Sequence, residues 1–179
     1  MQRSKWFGSL IAVLMLVVFL LPQEAKAASY EYKNTTYGFS ITCPQKPVGV
    51  LELATISPEE KGVVLVFENE GYDIKYAWVI SDDAFDEESL PDFAKLSPDE
   101  TQNYFKKLLA GKKYDMATLV SVAGGPALYT VSKGEPKQVA TYFRANNKRY
   151  AVMLIDNPTL NKDRMNAYQT GVLSFKTFN

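Results

Sequence analysis

The sequence predicts an α+β domain: a largely antiparallel sheet of about six to eight strands with helices packed on its faces. Three observations predict it. Short apolar segments with two-residue alternation recur through most of the chain, several joined by tight turns rich in Gly and Asn. Two segments instead carry helix-start signals, Ser97-Pro98-Asp99-Glu100 and Asn157-Pro158, each followed by apolar residues at helical spacing. No linker, repeat or low-complexity stretch divides residues 28–179, which therefore read as one globular domain.

The elements follow in order. Residues 37–42, YGFSIT, place Phe39 and Ile41 on one face of a short strand, which Pro44 and Pro47 end because proline cannot donate to a sheet ladder. Residues 48–53 form a second candidate strand before the turn-rich SPEEKG. Residues 63–68, VVLVFE, are apolar on both faces, which suits a central strand covered on both sides. Across Asn69-Glu70-Gly71 they meet residues 72–80, where Tyr72, Ile74, Tyr76, Trp78 and Ile80 mark one aromatic face. A helix then starts with Ser97 as N-cap, Pro98 in the first turn and Glu100 completing a capping box. It runs through Tyr104, Phe105, Leu108 and Leu109 to Gly111 as C-cap. Lys106, Lys107 and Lys112 lie near its negative end, where the helix dipole favours cations.

Strands return at 116–123 and 127–132, joined by Gly124-Gly125-Pro126, and at 137–144 and 148–156, joined by Ala145-Asn146-Asn147. The last of these is apolar on both faces and is a second central candidate. Asn157 as N-cap and Pro158 open a closing helix through Leu160, Ala167, Tyr168, Val172 and Phe175.

Residues 1–27 read as a removable export signal. Arg3 and Lys5 make a positive start, residues 10–21 form an apolar run of twelve, and Ala25-Lys26-Ala27 offers the small residues of a cleavage site. A membrane-spanning helix needs about 20 apolar residues, more than the 16 from Trp6 to Leu21. Cys43 lies well past that run, so a lipoprotein anchor is not expected. Cleavage near Ala27 would leave 152 residues in the periplasm, at the cell surface or outside, peripheral to a membrane at most. The 20 bases and 20 acids of the whole chain become 17 and 19, because the segment takes three bases and one acid with it, and the net charge becomes −2. Nucleic acid is not an expected partner of so balanced a surface. A monomer without a cofactor is expected.

The motifs at the two ends of the chain carry a resemblance. Tyr37-Gly38-Phe39-Ser40-Ile41 with Pro44 and Pro47, then Tyr142-Phe143, residues 150–155 and Ser174-Phe175-Lys176, stand in the order and spacing of the PsbP/Mog1-like α/β/α sandwich domains. The chain resembles that family over about a third of its mature length, and lacks the Trp that members carry soon after the first strand's proline. The overall pattern is also similar to that of secreted proteins of anaerobic bacteria. What the family resemblance implies is a non-enzymatic role in partner binding or in assisting a membrane complex. No residues match the family's metal-binding positions.

Composition excludes several chemistries. The chain has no His and one Cys, so it lacks an imidazole base, a His-paired nucleophile, an internal disulfide and a thiolate metal cluster. The expected function is an exported, non-catalytic domain that binds a protein partner or assists an envelope complex. The alternatives are a carboxylate-based hydrolase of envelope polysaccharide or peptide, and a small-ligand or calcium-binding module. For calcium, the candidates are Asp82, Asp83, Asp86 and Glu87, although their spacing departs from known loops and fits a solvated acidic segment. For hydrolysis, the candidates Glu68, Glu70 and Asp73 cluster at a hairpin turn, where such residues also collect for conformational reasons. For an acidic partner, Lys133, Lys137, Arg144, Lys148 and Arg149 flank two turns. Cys43 reads as a small buried thiol, the row Tyr72, Tyr76 and Trp78 as core rather than a ligand platform, and Asn34-Thr35-Thr36 as a sequon.

Overall fold

The computed structural model describes residues 29–82, 84, 90–134 and 136–178. In chain order these form β1 (Tyr30–Asn34), β2 (Phe39–Cys43), β3 (Gly49–Glu52), α1 (Leu53–Ile56), β4 (Lys61–Glu70), β5 (Asp73–Asp82), α2 (Pro98–Ala110), β6 (Tyr114–Val122), β7 (Gly125–Ser132), β8 (Val139–Ala145), β9 (Lys148–Asp156), α3 (Lys162–Leu173) and β10 (Lys176–Thr177). Seven strands make one sheet of order β3-β4-β5-β9-β8-β7-β6, and β1-β2-β10 make a second. Every pairing is antiparallel. The fold is α+β, as the alternation pattern predicts. The export signal at 1–27 lies outside the described residues.

Local chemistry explains most elements. Ser97 Oγ accepts from the Glu100 N–H while the Glu100 carboxylate accepts from the Ser97 N–H, so the predicted capping box starts α2. Asn146 and Asn147 both take positive φ, 48° and 59°, and give the β8–β9 hairpin its two-residue turn. The β6–β7 turn also has two positive-φ residues, Ala123 and Gly124, at 50° and 80°. It therefore falls one residue earlier than the Gly124-Gly125-Pro126 reading, and Gly125 and Pro126 begin β7.

Three other expectations are corrected. The closing helix begins at Lys162, capped by Asn161, rather than at Asn157-Pro158. The Asp156 carboxylate binds the Asn161 N–H and Arg164, which fixes the cap one turn later. Phe175 follows the helix rather than ending it, yet is buried with Phe39 stacked on it at 5.2 Å. Tyr72 occupies the β4–β5 turn and is fully exposed, so the aromatic core row starts at Tyr76.

The large sheet is covered on both faces. One face packs Val63, Leu65, Phe67, Trp78, Ile80, Val152 and Leu154 against β2 and α3. On the other face Val64, Val66, Ala77 and Val79 lie under Leu53 of α1, while Leu128 and Leu119 lie under Phe93 and α2. Strand β9 is the middle strand of seven, and β4 lies one in from the β3 edge. Both are buried on both sides, as their unbroken apolar runs require.

Helix α3 sits so close to the sheet that one position must be glycine. A Cβ on Gly171 would lie 2.3 Å from Cη2 of Trp78 and 2.8 Å from the Thr42 carbonyl oxygen. Tyr168, one turn earlier, donates its hydroxyl to the Val152 carbonyl at 2.7 Å and meets the Thr141 hydroxyl at 2.9 Å. Burial pushes its ionisation up.

Candidate functional site

The basic candidates fall at two ends of the same strand. Lys133 and Lys137 stand where β7 ends and β8 begins, whereas Arg144, Lys148 and Arg149 stand at the β8–β9 turn. At about 3.3 Å per residue, the seven residues of β8 separate the two groups by roughly 20 Å. Within the second group the charges hold structure. Lys148 Nζ donates to Asp82 Oδ2 at 2.9 Å and to the Tyr37 carbonyl at 3.1 Å, and Arg144 donates to the Leu90 carbonyl at 2.9 Å. Arg144 borders a groove of about 150 Å³ with Phe93, Pro126 and Tyr142.

Of the calcium candidates, Asp82 is buried in its pair with Lys148. Asp83, Asp86 and Glu87 lie outside the described residues. Among the described residues no three acids, Cys or His gather as a metal site.

The carboxylates at the β4–β5 tip are each matched by a cation. Glu68 pairs with Arg164, and Glu70 and Asp73 share Lys75 at 3.3 and 3.9 Å. Arg164 also binds Asp156 at 2.7 Å and lies 4.9 Å over the Tyr76 ring. Glu68, Glu70, Lys75 and Arg164 line an open polar cleft of about 670 Å³ with Asn157, Thr159 and Lys162. Their pairing makes the cleft an ionic clasp joining the β4–β5 tip to α3.

Two single-residue readings resolve simply. Cys43 is buried, and burial pushes its thiol up to about 12. Asn34 of the sequon is also buried, its Oδ1 accepting from the Tyr37 N–H at 2.9 Å in a local turn.

The feature that sequence reasoning missed lies at the free edge of the large sheet. Among the described residues strand β3 pairs only with β4, and Val48 just before it, Val50 and Leu51 within it and Ile56 of α1 are 64%, 46%, 42% and 67% exposed. Half of the eight large apolar side chains exposed among the described residues thus fall within nine consecutive positions. Alternation identifies such a segment as a strand but says nothing about whether it is an edge. A strand whose outer edge is unpaired beside exposed apolar groups is a ready template for another chain.

The fold is similar to the solution structure of cyanobacterial PsbP (CyanoP) from Synechocystis sp. PCC 6803, with a TM-score of 0.52 at 14% identity over 88% of this chain and 97% of that one. No family model and no curated protein matches the sequence. The fold is PsbP-like, as the end motifs imply. Among the described residues no helix is long and apolar enough to cross a membrane.

Proposed function

We propose that this chain is an exported, non-catalytic binding domain that takes an extended segment of a partner protein along β3. The observation that carries the reading is the apolar strip on an unpaired edge, where main-chain bonds supply affinity and alternate side chains supply selectivity. The PsbP-like fold supports a scaffold role, and residues 1–27 support export. The paired state of Glu68, Glu70 and Asp73 favours binding over carboxylate hydrolysis.

Charge indicates the occupant. Glu52, Glu59 and Glu60 lie at and after the end of β3, with Lys46 before the strand and Lys61 opening β4. An apolar segment followed by Lys or Arg would complement these acids.

The test is photo-crosslinking in the native cell from a benzophenone residue at position 50, with position 103 on α2 as the exposed control. An adduct to another polypeptide from position 50 alone is expected. No adduct from position 50, adducts from both positions alike, or an adduct at twice the chain's own mass would overturn the proposal.

A further inference from the structure

At the opposite edge of the large sheet the chain collects positive charge. Helix α2 ends at Ala110, and Gly111, Lys112 and Lys113 turn directly into β6. Lys112 takes a positive φ of 55°, and the Lys133 N–H donates to the Lys113 carbonyl at 2.9 Å. These backbone features bring the end of α2, the start of β6 and the end of β7 to one corner. Residues 106–113, KKLLAGKK, hold four lysines and no acid.

Lys106, Lys107, Lys112, Lys113 and Lys133 are all exposed, and none of their ammonium groups has a partner among the described residues. Elsewhere Lys75, Lys95 and Lys148 each sit within reach of a carboxylate. At the corner itself Asp115 is taken by Lys137 at 3.1 Å. Leu109, 41% exposed, lies three residues from Lys106 on the outward side of α2.

We infer that this lysine corner seats the domain on an anionic lipid bilayer. Point-like ammonium groups on long apolar stems suit a plane of phosphate headgroups, and an exposed leucine among them suits the headgroup boundary. A chain of net charge −2 past residue 27 is not drawn to such a plane as a whole, so the corner also fixes which side faces it. An acidic protein would meet the same charges, but it would leave Leu109 without a role. Export is taken from the proposed function, whereas attraction to lipid is a property of the corner alone. Because β3 and β6 are opposite edges, failure here and failure of the partner edge are separate results.

The test is sedimentation of the full chain with phosphatidylcholine vesicles, with and without a third of phosphatidylglycerol. Residues 1–27 carry three bases and one acid and are the same in parent and variant, so the readout is the preference for anionic vesicles lost between the two. A lysine near an anionic surface contributes about 1 kcal/mol, or about fivefold in partitioning. Replacing Lys106, Lys107, Lys112 and Lys113 by Gln should therefore reduce the preference by several hundredfold at low salt, with an unchanged circular dichroism spectrum. Lys46→Gln with Lys176→Gln, remote from the corner, should leave it within a few-fold. Equal binding to both vesicles, a preference that the fourfold variant leaves undiminished, or binding to polyglutamate but not to anionic vesicles would overturn the inference.

Discussion

Gly171→Ala tests the closest contact in the molecule. Gly171 lies inside α3, where alanine is the better helix former by about 1 kcal/mol. Helix propensity alone therefore predicts stabilisation. Packing predicts the reverse, because the new methyl would meet Trp78 at 2.3 and 2.6 Å and the Thr42 carbonyl at 2.8 Å. Trp78 has no room to retreat, since it is fully buried with Phe67 and Tyr168 edge-on at 5.0 and 6.0 Å. Overpacking of a core costs about 1–3 kcal/mol, and contact with a fixed backbone oxygen places this case near the top. After the propensity gain is subtracted, the net loss is about 2 kcal/mol, or a fall of about 4–8 °C in Tm for a domain of this size. Thermal melts followed by circular dichroism measure it. A second arm adds Trp78→Leu, which removes the ring that the methyl strikes, and the Gly171→Ala penalty should shrink by more than 1 kcal/mol in that background. A single variant that melts at or above the parent would refute the packing of α3 on Trp78.

Three further outcomes follow from buried groups. Arg164→Ala would leave the fully buried Asp156 carboxylate without its cation, a loss of about 3–5 kcal/mol for a broken buried pair; urea titration should show it, and a loss below 1 kcal/mol would mean that the clasp is not structural. Cys43 should resist a thiol reagent at pH 8 until the chain is unfolded, because its thiol is buried and pushed up from 9.0 to about 12. Its folded-state value is the higher one, so its contribution is complete below about pH 9 and lost as pH rises toward 12. The buried Tyr76 and Tyr168 phenols, also raised, act with the same sign. Cys43→Ala should therefore flatten the alkaline loss of stability in part, and rapid labelling of the folded protein would contradict the burial.

What was legible in the sequence was local. The α2 cap needs only Ser97 and Glu100, and the β8–β9 turn needs only Asn146 and Asn147. The two-sided apolar runs of β4 and β9 follow from their own residues. Strand order was not legible: β5 lies beside β9, and β10 completes β2, through contacts between distant segments. The start of α3 was misplaced because Asp156, lying before the helix, chooses the cap. The candidate surfaces were hidden for the same reason. Residues 48–53 read as an ordinary strand until β3 is known to be an edge, and Lys106, Lys107 and Lys112 read as dipole partners until Lys113 and Lys133 join them.

The pairing of β2 with β10 also constrains when the domain can form. Thr42 donates its N–H to Ser174 Oγ across 132 residues, and Phe39 and Ser40 pair with Thr177 and Lys176. Phe39 and Ile41 therefore stay incompletely covered until residues 174–177 are available. Such distant closure is slow relative to local folding. Until residues 174–177 have left the ribosome, the main core cannot shut.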